Sequence, residues 1–433
     1  MSKNIYLNII LVFLCLYTFL IGIKGLSKAI EGISSPEHIY PGDQVQIKQG
    51  VIFNDEDSKV IIKKQWVEVI SKPDSDGNFK FILRQVESEN KILNGIANTK
   101  DKKKVASKWF LEAIGSPFIC LFIGIFATVI FQSSSTTTSL IVAMAGGGII
   151  GINSAVPMVM GANIGTTITN TIISMGHITK GAEFKRAFSA ATVHDFFNLL
   201  AVIIFFPLEL AFGIFQKLST ALTSLFFSGD FDVEFESPIK EAVKWGVSQF
   251  KDFLHIFNDS DLFLLAASGL LTLLMLFSIV KVLKNMVLTK VESFFDKYIF
   301  KTVYRSMAFG VILTVLVQSS SITTSTIVPL AGAGVLTLKQ IFPFTLGANI
   351  GTTVTGLLAA MVLNPTAMIV AFSHLMFNIL GILVIYPIRF LRNIPINAAT
   401  KLAEIAIQNK FLPILYLIIV FILIPLFIII AGG

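Results

Sequence analysis

Apolar runs interrupted by short polar words organise this chain. Residues 5–26, 109–131, 187–215, 261–280, 365–388 and 411–431 are nearly free of charge. A helix needs roughly 20 such residues to cross a bilayer, so the runs predict an all-α polytopic membrane protein. Two further apolar runs, 118–131 and 140–152, are too short to cross and flank the polar word Gln132-Ser133-Ser134-Ser135. Short limbs around a polar turn predict a re-entrant hairpin, because non-helical backbone at membrane depth is tolerated only against protein or water. The stretch from Pro157 to Met175 then predicts a helix broken around Gly161 and Gly165.

This pattern occurs twice. Gln318-Ser319-Ser320-Ser321 repeats the polar word, and hydroxyl residues follow both copies: Thr136, Thr137, Thr138 and Ser139 in the first, Thr323, Thr324, Ser325 and Thr326 in the second. At one common interval each copy leads to Gly-Ala-Asn-Ile-Gly-Thr-Thr, containing Asn163 or Asn349, with Pro157 or Pro343 ahead of it. Both units close on His-x-x-x-Asn, at His194 to Asn198 and His374 to Asn378. A duplication of this kind is read before anything else. It divides the chain into a first transmembrane helix (1–29), a soluble β-rich insertion (30–107), repeat 1 (108–215), an inter-repeat linker (216–304), repeat 2 (305–392) and a terminal transmembrane helix (393–433). The linker carries one span, 261–283, and amphipathic helices at 238–257 and 284–304.

Residues 30–107 break the apolar pattern. The β-branched runs 43–53, 59–70 and 78–86 are separated by turn signals at Pro41-Gly42, Asn54-Asp55 and Pro73 to Gly77, which predicts a small β unit. Ile23-Lys24-Gly25 is a poor cleavage site, so residues 1–26 read as a retained helix rather than a signal peptide. With its amino end in the cytoplasm, the β unit is extracytoplasmic.

Composition agrees. Of 433 residues, 54% are hydrophobic and 14% charged, against about a quarter charged in a soluble protein. The net charge of +7 belongs to loops and bilayer placement, and no long basic surface favours nucleic acid. Lys102-Lys103-Lys104, beside an apolar run, reads as a headgroup anchor. Cys15 and Cys120 lie in apolar runs and read as packing residues, and no Cys/His cluster suits a transition metal.

A glutamine in hydrocarbon is costly unless its amide is satisfied. Two of them, at matched places in duplicated halves, point to a substrate site at the repeat interface. Gln132, Ser133, Ser134, Ser135, Gln318, Ser319, Ser320 and Ser321 offer hydroxyl donors, and the broken limbs offer helix N-terminal N–H groups. Together these make a neutral, donor-rich pocket for an oxyanion such as phosphate. Hydrogen phosphate also carries a proton, which the glutamine carbonyls can accept. Its charge calls for co-bound cations, and Thr138, Asn163, Thr166, Thr167, Thr324, Asn349, Thr352 and Thr353 are hard oxygen ligands for sodium. Sodium enters as a coupling ion, and no other cofactor is expected. His194 and His374 read as packing residues before gating groups, and Arg186 and Arg305 as interfacial anchors or phosphate attractors.

The two Gln-Ser-Ser-Ser and Gly-Ala-Asn-Ile-Gly-Thr-Thr pairs, with Phe184 to Phe188 leading to Val193 to Asn198, resemble the type II sodium–phosphate cotransporter family. The resemblance is strong over 109–212 and 305–390, weak over 5–26 and absent over 30–107. It implies two inverted repeats, each with a re-entrant hairpin and a broken helix, with phosphate between the hairpins and sodium nearby. It also implies sodium-coupled phosphate import by alternating access in the cell (inner) membrane, not an enzyme. No PhoU-like domain is expected after residue 431. Electrogenic relatives carry an aspartate at the end of the first hairpin's second limb. Here Gly146-Gly147-Gly148 stands there, and Val328 replaces a common threonine, which together imply an electroneutral cycle with two sodium ions. A homodimer is compatible with the family. The rival readings are a sodium-coupled transporter of another oxyanion, or a membrane-anchored sensor working through residues 30–107.

Overall fold

The computed structural model of the chain describes residues 2–33, seven strand segments between 44 and 105, Ile70, and residues 115–227, 238–257, 260–291 and 299–432. Helix α1 (Ser2–Ile33) runs beyond the boundary expected at residue 29. The seven strands pair antiparallel into one sheet of order β3-β2-β6-β5-β4-β1-β7. They are β1 (Gln44–Ile47), β2 (Gly50–Phe53), β3 (Lys59–Ile62), β4 (Gln65–Val69), β5 (Asn78–Arg84), β6 (Ile92–Asn98) and β7 (Lys102–Val105). Two of the runs read as single strands each hold two, which are not neighbours in the sheet, and β6 and β7 lie beyond the last run recognised. Lys102-Lys103-Lys104 falls in β7, at one edge of the sheet. Lysines on a sheet edge discourage pairing with another chain.

The first half continues through α2 (Pro117–Phe131), α3 (Ser134–Gly146), α4 (Ile152–Gly165), α5 (Ile168–Ser174), α6 (Gly181–Phe212) and α7 (Ile214–Phe227). Next come α8 (Pro238–His255) and α9 (Asp261–Val291). The second half has α10 (Val303–Val317), α11 (Ser320–Ser325), α12 (Ile327–Gly332), α13 (Leu338–Met361) and α14 (Pro365–Ile385), followed by α15 (Arg389–Gln408) and α16 (Leu412–Gly432). Among the described residues, five helical stretches are long and apolar enough to cross a membrane: 10–29, 181–212, 338–361, 365–385 and 412–432. Large apolar side chains exposed along them, such as Leu210, Leu383 and Phe427, face outward as lipid-facing residues do.

Three boundaries differ from expectation. The expected limit at residue 215 cuts α7, a helix that sequence reading took for polar linker. Glu209 makes this helix, accepting from the backbone N–H of Phe215 (2.6 Å) and Gln216 (3.3 Å) across the turn at Gly213. The region 393–433 holds most of amphipathic α15 as well as the terminal span, and α15 packs along α6. Of the amphipathic stretch expected over 284–304, residues 284–291 belong to α9 and 292–298 lie outside the described residues.

Helix pairs α2/α4 and α10/α13 form the walls of the two hairpin units. Gly161 and Gly347 allow this: a Cβ on either would collide with a backbone carbonyl, Leu121 O or Met307 O. The two halves then interlock. The long helix of each half packs on the hairpin of the other, α6 on α12 and α14 on α3. Aromatic rings from both halves seal the contact, with Phe197 and Phe342 at 5.9 Å and Phe215 and Phe377 at 5.7 Å between centroids.

The expected broken helix occurs only in the first half. There α4 stops at Gly165 and α5 resumes at Ile168, whereas α13 continues through the equivalent residues. The second hairpin is interrupted instead at Thr326, between α11 and α12. Pro329 accounts for this, since it lacks an N–H and crowds the carbonyl one turn earlier. Ala143 takes the corresponding place in the uninterrupted α3.

Candidate functional site

The tips of the two hairpins meet. Gln132 and Gln318 end their first limbs with left-handed backbones, φ 53° and 55°, the only such non-glycine residues among those described. An L-residue holds that conformation at a cost of about 1–2 kcal/mol. The amide offsets it: Gln132 Nε2 donates to Val129 O (2.6 Å) and Gln318 Nε2 to Val315 O (2.7 Å), capping open carbonyls of the limb. Each Oε1 accepts from a threonine hydroxyl, Thr169 for Gln132 (3.0 Å) and Thr355 for Gln318 (2.8 Å). The glutamines thus brace the tips, and one lone pair on each Oε1 is left for a ligand proton.

The next serine starts the second limb. Ser133 and Ser319 are extended caps whose hydroxyls accept from Thr136 N (3.2 Å) and Ile322 N (3.3 Å). Ser134, Ser135, Ser320 and Ser321 form the first turns and are buried. Both first turns belong to one site, because Ser135 Oγ reaches Gln318 O (3.4 Å) and Ser321 Oγ reaches Thr166 O (3.3 Å).

Around the tips lie the residues read as sodium ligands, all buried. Their hydroxyls donate to backbone carbonyls of their own helices: Thr138 to Ser134 O, Thr166 to Ala162 O, Thr167 to Ile164 O, Thr324 to Ser320 O, Thr352 to Ala348 O and Thr353 to Ile350 O, at 2.7–3.1 Å. A hydroxyl that spends its proton this way keeps only lone pairs to offer, which suits a hard cation and not an anion. Thr324 differs from Thr138. Asn170 Nδ2 donates to Thr324 Oγ1 at 2.7 Å, while the residue corresponding to Asn170 in the second half is Gly356.

Asn163 and Asn349 are tied to the opposite half. His374 Nε2 lies 3.2 Å from Asn163 Oδ1, and His194 Nε2 lies 2.5 Å from Asn349 Oδ1. Asn349 Nδ2 donates to Asn198 Oδ1 (2.8 Å) and Asn198 Nδ2 to Asn163 O (2.8 Å), so a continuous chain of bonds crosses the interface. Because Asn349 Oδ1 must accept, His194 carries its proton on Nε2. Each histidine therefore serves as a cross-half strut. The Arg186 guanidinium donates to Gly332 O and Ala331 O at the end of the second hairpin. Asn364 Nδ2 holds the first hairpin in the same manner, donating to Gly146 O at 2.6 Å.

Several contributing residues were not recognised in the sequence. Thr169 and Thr355 stand at one interval, 37 residues, from their glutamines, so aligning the repeats could have found them. Asn198 and Asn378 lie in the His-x-x-x-Asn words already quoted. Asp195 is a buried carboxylate whose Oδ2 accepts from Tyr416 in the terminal helix (3.0 Å), with Oδ1 unpartnered. No local signal marks Tyr416, which is 221 residues away. Among the described residues, no three His, Cys, Asp or Glu side chains converge.

Spanning helices, paired hairpins and a buried polar lattice between them define a polytopic membrane protein with a duplicated core. The Na+/Pi-cotransporter family model matches residues 95–228 and 271–390. The chain belongs to that family. It is 33% identical over 400 residues to sodium-dependent phosphate transport protein 2A of Ovis aries, covering 74% of this chain and 62% of that protein. Over 416 residues it is 32% identical to protein 2B of Homo sapiens, covering 75% of this chain and 60% of that protein. The chain thus spans about three fifths of the length of these relatives. No solved structure matches.

Proposed function

We propose that the chain carries hydrogen phosphate with sodium into the cell by alternating access, as a multi-pass protein of the cell membrane and not as an enzyme. The meeting of the two Gln-Ser-Ser-Ser tips carries this reading, because Ser135 Oγ on Gln318 O and Ser321 Oγ on Thr166 O bring two serine-rich helix starts together. Relatives named sodium-dependent phosphate transport proteins support the choice of substrate and ion. Ser134 and Ser320 bind the oxyanion, Ser135 and Ser321 join it when their hydroxyls turn from Gln318 O and Thr166 O to the anion, and the glutamine Oε1 atoms accept its proton. Thr138, Asn163, Thr166, Thr167, Asn349, Thr352 and Thr353 hold sodium, with Thr324 weaker because Asn170 already occupies one of its lone pairs. Sodium and anion lower each other's cost of burial, which couples their movement.

The reciprocal contacts support an inverted arrangement of the halves, in which rocking one hairpin unit against the other exposes the site to each side in turn. The sheet of residues 44–105 lies outside the cell. Two sodium ions per hydrogen phosphate make the cycle electroneutral. Asp195 supports a second reading of the stoichiometry, since an unpartnered buried carboxylate oxygen can take a further cation.

Purified protein in liposomes is expected to accumulate radiolabelled phosphate only with an inward sodium gradient. Equal uptake in potassium would remove the coupling, and sulfate uptake at the same rate would remove the substrate choice.

A further inference from the structure

Away from the hairpin tips, a cavity of about 480 Å³ opens between the starts of α10, α13 and α15 and the end of α14. Lys339, Arg389 and Arg392 stand around it, and Val303 and Phe342 form an apolar wall. The Arg392 guanidinium lies 5.3 Å from the centre of the Tyr386 ring. That contact holds the side chain in place without neutralising its charge. Among the described residues, no carboxylate pairs with any of these three cations. On either side of Arg389, Ile388 is 50% and Phe390 75% exposed, as side chains in contact with acyl chains are.

Three cations beside an apolar wall at the ends of membrane helices fit a ligand with an anionic head and apolar tails. A free anion would pair with the cations but leave Val303, Ile388 and Phe390 wet. A lipid without net charge would cover the wall and leave the cations in excess. The site is also separate from the hairpin tips, because the 15 residues of α10 at about 1.5 Å each place Val303 roughly 22 Å from Gln318. We propose that this cavity binds the phosphate headgroup of an anionic phospholipid, with the acyl chains against Val303, Ile388 and Phe390. Bound there, the lipid joins the first limb of the second hairpin to α15.

The test is native mass spectrometry of the full chain in detergent, offered phosphatidylglycerol, phosphatidylcholine or inorganic phosphate. Phosphatidylglycerol is expected to be retained over phosphatidylcholine. An Arg389→Gln, Arg392→Gln double variant should lower that retention on the order of 10-fold or more, since each basic residue near an anionic lipid contributes about 1 kcal/mol. Size-exclusion chromatography checks folding. If the double variant is not monodisperse, Lys339→Gln alone should lower retention roughly 5-fold. Equal retention by wild type and a monodisperse variant overturns the proposal, as does equal retention of the two lipids. Displacement of phosphatidylglycerol by inorganic phosphate would show a free-anion site in its place.

Discussion

His194 Nε2 lies 2.5 Å from Asn349 Oδ1, a bond that joins residues 155 apart in the chain and closes the two halves over the candidate site. Its counterpart joins His374 to Asn163. His194→Ala would leave Asn349 Oδ1 buried without this donor, at a cost of about 1–3 kcal/mol. The expected result is a lower melting temperature and a weaker sodium dependence of uptake. His194→Gln keeps a donor and should recover most of both. Equal loss in the two variants would mean that ring volume matters and the bond does not.

The tip glutamines combine a strained backbone with an engaged amide, and Gln132→Gly separates the two. Glycine accepts the left-handed conformation freely, which offsets part of the lost amide bonds. The variant is expected to stay within about 1 kcal/mol of wild-type stability. Phosphate uptake should fall 10-fold or more if Oε1 accepts the substrate proton as proposed, because the amide bonds also hold the tip in shape. Normal uptake by a stable Gln132→Gly protein would place the substrate elsewhere.

Backbone contact between α2 and α4 depends on Gly161. A Gly161→Ala side chain collides with Leu121 O, and overpacking of this kind costs about 1–3 kcal/mol. Gly181→Ala is the control, since nothing lies within 4 Å of an added Cβ there. Thermal unfolding in detergent should show a clear drop for the first variant and no change or a slight gain for the second. A matching response would mean that the helices separate easily.

Arg186 and Gly332 O hold the end of the second hairpin to the long helix of the first half. Arg186→Gln removes a charged donor pair, a loss of about 1.5–3 kcal/mol per bond to a charged group. Protease sensitivity near residues 331–336 is expected to rise while the first hairpin, held by Asn364, is unaffected. Unchanged cleavage at both ends would remove the latch.

Charge movement decides the stoichiometry. With two sodium ions per hydrogen phosphate, clamping the membrane potential should leave the rate of uptake nearly unchanged. Each net charge carried would add about 2.3 kcal/mol of driving force per 100 mV. A strong voltage dependence that Asp195→Asn abolishes would assign the extra cation to that carboxylate.

By itself, the sequence determined the class of fold and the location of the hairpin tips. Membrane burial imposes a length on apolar runs, and a duplicated polar word inside them stands out against hydrocarbon. The glutamines, the serine caps and the Gly-Ala-Asn-Ile-Gly-Thr-Thr words were legible for that reason. Glu209, Pro329 and Gly161 act on their own neighbourhoods or on one packed helix, yet α7, the interruption at Thr326 and the unbroken α13 were not anticipated. Only the tertiary structure decided the pairings: His194 with Asn349, Asn170 with Thr324, Arg186 with Gly332 and Tyr416 with Asp195. Each joins groups more than 140 residues apart, and each forms because a buried polar atom must find a partner wherever packing brings one. Local periodicity carries no record of that choice.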